Sequence, residues 1–174
     1  MKSQRVYARE SLEAELAGLY GEYYDKIARY AAVHIGNRAD AEDVAGEVFL
    51  KALESLGSYE KRGIPMQAWL FRIAHNLVVD YLRKMSKRKT VDIDSVTVRS
   101  NESPEAIAEV NIEVERVKKA MEQLTREQRE VLSLRFFGEL TSKETAAIMG
   151  KSDGAVREMQ RAATSKLRML LVTD

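Results

Sequence analysis

The residues of this chain best suited to chemistry are its basic ones, and they are unevenly placed. Lys61, Arg62, Arg72, Arg83, Lys84, Lys87, Arg88 and Lys89 crowd residues 61–90, where Asp80 is the only carboxylate. The flanking stretches 1–60 and 91–125 are both net acidic, and 126–174 is weakly basic, so a formal charge of +1 over the chain conceals strong segregation. A concentrated positive segment between acidic ones points to a polyanion surface, with other surfaces left for other partners. The bland reading of such a run is a solvated helix face. A second constellation lies near the carboxyl end. At about 100° per residue, Arg157, Glu158, Arg161, Thr164, Ser165 and Arg168 share one helix face. A row of long polar side chains of this kind can reach base edges in a major groove.

The remaining candidates for chemistry are weaker. Asp40, Glu42, Asp43 and Glu47 cluster, but a hard-metal site needs carboxylates converging with further oxygen ligands. A partner-binding surface that runs from these acids to Lys51 fits the pattern better. His34 and His75 lie far apart and form no ligand motif. Cysteine is absent, which removes disulfides, thiolate metal sites and a cysteine nucleophile. With no P-loop and no nucleophile–base pair, nothing here reads as an enzyme, and no cofactor or metal is expected. No apolar run approaches the ~18 residues that span a bilayer, and the amino terminus has no signal-peptide core. A cytoplasmic protein without membrane insertion of its own is expected.

The elements that must position these residues are helical. Of 174 residues, 32% are charged, with nine Gly and two Pro, a composition that disfavours a turn-rich β design. Leu12, Leu16, Leu19, Tyr20, Tyr23, Ile27 and Tyr30 recur at helical spacing. A second helix is expected from about Asp40, with Asp40, Glu42 and Asp43 in its first turn and Val44, Val48, Phe49, Ala52, Leu53 and Leu56 inward. Gly57 ends it, and Pro65 fits the first turn of a third helix. That helix buries Trp69, Leu70, Ile73, Leu77, Val78, Tyr81 and Leu82, and it presents Arg72, Asn76, Asp80, Arg83 and Lys87 on another face. Trp69 is read as packing rather than as a base-stacking platform.

Residues 89–103 break the pattern and read as a linker, although Val91, Ile93, Val96 and Val98 alternate loosely enough for a short strand. Ser103 and Pro104 then open a helix striped by Ile107, Val110, Val114, Val117, Met121 and Leu124. Thr125 and Gln128 have capping-box spacing before Val131, Leu132, Leu134 and Phe136, and Thr141 and Glu144 repeat it before Ala146, Ala147 and Ile148. Ala147 is small enough for a crossing helix, Gly150 supplies the tight turn, and Ser152 caps a last helix. Its inward residues are Val156, Met159, Ala163, Leu167 and Leu170. The expected fold is all-α: two small helical domains joined by a flexible linker, the second a helix-turn-helix.

Three segments resemble, in order, the bacterial sigma factors of the extracytoplasmic-function group. DAEDVAGEVFLKAL (Asp40 to Leu53) is similar to the segment that docks on RNA polymerase. AWLFRIAHNLVVDYLRK (Ala68 to Lys84) is similar to the segment that recognises and melts the minus-ten element. Leu124 to Ala162 resembles the fourth conserved region, which reads the minus-thirty-five element. The family's large first and third regions have no counterpart, as in other members of this group.

The resemblance implies a non-catalytic polymerase subunit: 1–88 as region 2, 89–103 as linker and 104–174 as region 4. Its partners would be core RNA polymerase, promoter DNA and an anti-sigma factor, since no sensory extension follows Leu170. Core polymerase would meet Asp40, Glu42, Asp43, Glu47 and Lys51. The minus-ten strand would meet Lys61, Arg62, Arg72, Asn76, Asp80, Arg83, Lys84 and Lys87, with a flipped base in the loop before Pro65. Asp80 is read as orienting Arg83 or Asn76. The minus-thirty-five duplex would meet Thr141, Ser152, Arg157, Glu158, Arg161, Ser165 and Arg168. Many relatives carry Arg where this chain has Ala162, which leaves open whether Arg161 reads a base or a phosphate. A stand-alone two-domain helix-turn-helix regulator remains the alternative and predicts tight duplex binding without polymerase.

Overall fold

The computed structural model describes residues 2–59, 64–91 and 108–172. Among these, every element is helical: α1 (Lys2–Ile35), α2 (Arg38–Ser55), a 3-10 turn (Leu56–Ser58), α3 (Met66–Val91), α4 (Ala108–Glu122), α5 (Arg126–Phe136), α6 (Ser142–Met149) and α7 (Asp153–Val172). The expected all-α class and the helix-turn-helix are both present. Residues 92–107, which include most of the expected linker, the strand alternative and the Ser103–Pro104 cap, lie outside the described residues. So do Lys61 and Arg62.

Local chemistry sets the helix ends. Gly36 takes φ 76°, a left-handed conformation that costs glycine nothing, and its N–H donates to Ala32 O at 2.9 Å to close α1. The next residue, Asn37, opens α2 by accepting from the Asp40 N–H at 3.0 Å. The helix therefore starts earlier than expected, and only Asp40 of the three acids falls in its first turn. Pro65 precedes α3 rather than lying inside it, with the Trp69 N–H donating to Pro65 O at 3.2 Å. Helix α3 continues to Val91, three residues into the stretch read as a break. Both expected capping boxes form, at Thr125/Gln128 and Thr141/Glu144.

Helices α1, α2 and α3 pack around Tyr23, Ile27, Tyr30, Val44, Val48, Ala52, Leu70, Phe71, Ala74 and Val78. The Phe71 ring meets Tyr30 and Tyr23 edge-on at 5.6 and 6.2 Å, the favoured aromatic geometry. The apolar stripes are narrower than the periodicity implied. Tyr20, Leu53, Val114, Val117 and Phe136 are exposed, whereas Met66, Phe71 and Ala74, absent from the expected stripe of α3, are buried. Two small clusters hold α4–α7 together: Leu124, Leu132 and Ala163, and Val131, Ala146 and Val156.

Leu134 and Leu140 belong to neither small cluster. They are fully buried in the core built by α1–α3. Between them the turn Phe137–Leu140 carries Gly138, where a Cβ would lie 2.6 Å from Leu134 O and 3.3 Å from Phe71 Cγ. Only glycine fits that approach. Glu139 follows at φ 53°, an uncommon conformation for a residue with a side chain. The two halves expected as separate domains thus share one core in this arrangement.

Candidate nucleic-acid interface

Ser152 stands just before α7, and its hydroxyl accepts from the Ala155 N–H at 3.2 Å. Gly150, left-handed at φ 63°, ends α6 two residues earlier and makes the helix-turn-helix corner. From that corner α7 projects Arg157, Glu158, Arg161, Thr164, Ser165 and Arg168 into solvent. All six expected face residues are exposed. Arg157, Arg161, Thr164, Ser165 and Arg168, joined by Gln160, line a shallow groove of about 430 Å³.

Two arginines on this face are held differently. Arg157 pairs with Asp153 at 2.7 Å and donates to Ser142 Oγ at 3.4 Å, which fixes it to the α6–α7 corner. The hydrogen bond with Ser142, aided by Arg157 and Lys143, holds the Asp153 carboxyl below the usual carboxylate range. Arg161 pairs with Glu158 at 2.9 Å, and both side chains are more than two-thirds exposed. Such a pair contributes ~0–1 kcal/mol and exchanges readily for a DNA group. The hydroxyls of Thr141 and Ser152 are engaged as helix caps.

The basic face of α3 is also presented as expected. Arg72, Asn76, Arg83, Lys84 and Lys87 are exposed, and Asp80 pairs with Arg83 at 2.9 Å. Trp69 is half-buried. It leans on the core on one side and lies 4.9 Å from the Tyr59 ring on the other. The Tyr59 hydroxyl donates to Ile64 O at 2.9 Å, which ties the two ends of the intervening loop. Tyr59, Trp69 and Arg72 line a groove of about 190 Å³ whose far wall is Glu144, Ala147 and Ile148 of α6. Arg72 points its guanidinium at Ala147 O, 3.5 Å away. Ala147 is thus exposed towards α3 and does not face the crossing α7; Ala146 is the buried member of the pair.

On α2, Glu42, Asp43, Glu47 and Lys51 are exposed, with Glu42 paired to Arg38 and Glu47 to Lys51. Leu50 and Leu53 stand exposed beside them. Asp40 differs from its neighbours. Its carboxylate accepts from the Tyr81 hydroxyl at 2.5 Å and fastens α2 to α3. Burial, then the bond to Asp40 and its charge, pushes the Tyr81 hydroxyl up to about 12. Among the described residues, no three His, Asp or Glu side chains converge as a metal site.

One cluster was invisible in the sequence. Glu130 of α5 is buried, accepting from the Tyr30 hydroxyl at 2.7 Å and lying 2.9 Å from His75 Nδ1. His34 Nε2 sits 3.3 Å from its other oxygen. Burial alone would raise the Glu130 carboxyl. The hydrogen bond with His75, the proximity of His34 and the bond from Tyr30 outweigh it, so the group is held below its ordinary value of 4.5. Burial holds His34 below 6.5. The two histidines, unrelated by spacing, meet at one carboxylate.

Residues 19–88 match the Sigma-70 region 2 family, and residues 120–169 match the Sigma-70 region 4 family. The chain belongs to the sigma-70 family, in its extracytoplasmic-function group. It is 30% identical over 171 residues to the ECF RNA polymerase sigma factor SigL of Mycobacterium tuberculosis, covering 96% of this chain and 95% of that one. To the ECF RNA polymerase sigma factor BldN of Streptomyces coelicolor it is 36% identical over 166 residues, and the aligned part is 93% of this chain but 62% of BldN. Among solved structures, CnrH in complex with the cytosolic domain of CnrY aligns over 98% of this chain and 96% of that one, with a TM-score of 0.70 and 25% identity. The region 2 match takes in the exposed acids of α2 and the basic face of α3, and the region 4 match takes in the polar face of α7 up to Arg168.

Proposed function

We propose that this sigma factor binds core RNA polymerase and directs promoter-specific initiation as a non-enzymatic, cytoplasmic subunit. The observation that carries the reading is the order of two family segments, each presenting an exposed polar face of the type its task needs. A strand-opening surface requires positive charge with planar or hydrogen-bonding groups. Arg72, Asn76, Arg83, Lys84 and Lys87 supply these, with Lys61 and Arg62 assigned to the same task and Asp80 orienting Arg83. A duplex-reading surface requires a helix that fits the major groove. Arg157, Glu158, Arg161, Ser165 and Arg168 of α7 are assigned to the minus-thirty-five element, with Thr141 and Ser152 setting the helix ends.

Core polymerase is assigned to Glu42, Asp43, Glu47 and Lys51 together with Leu50 and Leu53, a polar rim around exposed apolar side chains. Asp40 supports that surface by holding α2 on α3. Functional boundaries follow the division 1–88, 89–103 and 104–174. CnrH forms a complex with the cytosolic domain of CnrY, and a comparable anti-sigma partner is proposed here. Addition of the protein to sigma-free core polymerase, scored for promoter-specific transcripts, tests the reading. Tight binding to a palindromic duplex with no transcription would replace it with a stand-alone regulator.

A further inference from the structure

Gln160 lines the α7 groove, although its type and spacing did not place it on the polar face. It follows Arg157 by three residues and so lies about 60° round the axis from it, opposite in sense to Arg161 at about 40°. Arg157 therefore stands between the two. Gln160 is the eighth residue of α7, within the amino-terminal part of a recognition helix that meets base edges.

Unlike the exposed arginines, Gln160 is half-buried and held from behind. Arg135 of α5 donates from Nε to Gln160 Oε1 at 2.9 Å and from a second nitrogen to Leu140 O. The guanidinium is thus fixed at two points, one on α7 and one on the turn before α6. A guanidinium nitrogen can only donate, so the amide oxygen faces Arg135 and the amide nitrogen is the end left for the groove. Among the described residues Gln160 Nε2 donates to nothing. Its two N–H groups are oriented before any duplex arrives.

A free glutamine pairs with adenine, donating to N7 while its oxygen accepts from the N6 amino group. Here the oxygen is committed to Arg135. Guanine offers two acceptors, O6 and N7, to the amide nitrogen, whereas adenine and cytosine turn an amino donor towards the groove. Two donors that face each other without water are left unpaired, which is the costly outcome. Thymine offers one acceptor beside a methyl group, and the groove around Gln160 is lined by polar side chains.

We infer that Gln160 selects a guanine in the minus-thirty-five element by donating from Nε2 to its major-groove edge, and that Arg135 is the positioning residue that denies it adenine. The inference rests on the assignment of α7 to that element.

Wild type and variants are assayed with core polymerase on a promoter library randomised through the minus-thirty-five element. Base preference is scored as ratios between library members, which a variant's overall loss of activity does not move. Gln160→Glu keeps the oxygen that Arg135 holds and turns the outward donor into an acceptor. At one position the preferred G·C pair is expected to invert to C·G, with a change in ratio of about fivefold or more, because a glutamate accepts from the cytosine amino group. Arg135→Met frees the amide and is expected to raise adenine about fivefold in place of that guanine, while Arg135→Lys keeps a donor and keeps guanine. A brace that only ties α5 to α7 would shift the melting midpoint in these variants and leave base preference alone. Arg135→Met also releases Leu140 O, so melts are recorded, and Gln160→Glu carries the test if that variant does not fold.

Three results would overturn the inference: preference unchanged at every position in Gln160→Glu, a uniform fall across the library, or a wild-type preference for an A·T pair at the altered position. The uniform fall would assign Gln160 to a phosphate instead. Wild-type protein that directs transcripts from no library member would sink the sigma reading. Base preference is then scored on randomised duplexes bound by the full chain alone, and the same inversion still decides the role of Gln160.

Discussion

Replacing Tyr30 by Phe isolates one bond of the Glu130 cluster. The Tyr30 ring is fully buried and packs edge-on to Phe71 at 5.6 Å. Phenylalanine preserves that ring and its contacts. What disappears is the hydroxyl that donates to Glu130 Oε1 at 2.7 Å. A hydrogen bond to a charged group contributes about 1.5–3 kcal/mol, and its loss leaves a buried carboxylate with fewer donors. In a chain of this size each kcal/mol moves the melting midpoint by about 2–4 °C, so Tyr30→Phe should lower it by about 3–12 °C. Because the halves share a core, the melt should remain a single transition in the wild type and broaden in the variant. A double-mutant cycle with Glu130→Gln should give a coupling on the order of 1–2 kcal/mol. A midpoint that stays put, or additive effects in the cycle, would show that the Tyr30 hydroxyl and Glu130 do not stabilise the packing of α5 against α1 together.

The other predictions concern pH, capping and the binding faces. Burial lowers His34 below 6.5, so the unfolded chain takes up a proton that the folded form refuses as pH falls through 6.5; Glu130, held below 4.5, adds a second loss at lower pH. The groups facing this site are Tyr30, His34, His75, Arg126 and Arg129, and thermal melts from pH 7 down to 4 should show a monotonic loss, with no midpoint change from the pH 7 value counting against the argument. Thr141→Ala removes the cap of α6 and should cost about 0.5–2 kcal/mol by denaturant titration, lowering duplex binding only through stability. Arg161→Ala should flatten selectivity at one minus-thirty-five position if the side chain reads a base, or lower binding to all sequences and reduce the salt slope by about one unit if it grips phosphate. A library of promoter variants separates these outcomes. Asp43→Lys with Glu47→Lys should weaken core-polymerase binding in a pull-down while leaving the melt nearly unchanged, because both carboxylates are exposed.

Local chemistry was legible in the sequence because it depends on neighbours in the chain. Both capping boxes, the left-handed Gly150 and the polar face of α7 follow from residue type and spacing alone. So does the segregation of charge that gathers exposed basic residues on α3. The errors share one cause. Periodicity identifies an apolar side of a helix but not what covers it, so Leu53, Val114, Val117 and Phe136 counted as inward although they are exposed, and Tyr20, in ring contact with Tyr24 and Phe49, is still half open to solvent. Phe71 and Ala74 were passed over because α3 is enclosed by α1 and α2 on one side and by the Phe137–Leu140 turn on the other, which widens its buried face.

Asp40 shows the same limit at the proposed polymerase surface. As a residue type it belonged with Glu42, Asp43 and Glu47, but the approach of Tyr81 from α3, 41 residues away, turns it inward. Sequence determined the elements, their caps, their order and the family, since these rest on interactions within a few residues or on patterns kept in line. Tertiary structure alone decided that Leu134 and Leu140 complete another half's core and that Tyr30, His34 and His75 converge on Glu130. Those contacts join residues more than 50 positions apart, and no local spacing encodes a meeting that only the packing of α5 against α1 and α3 creates.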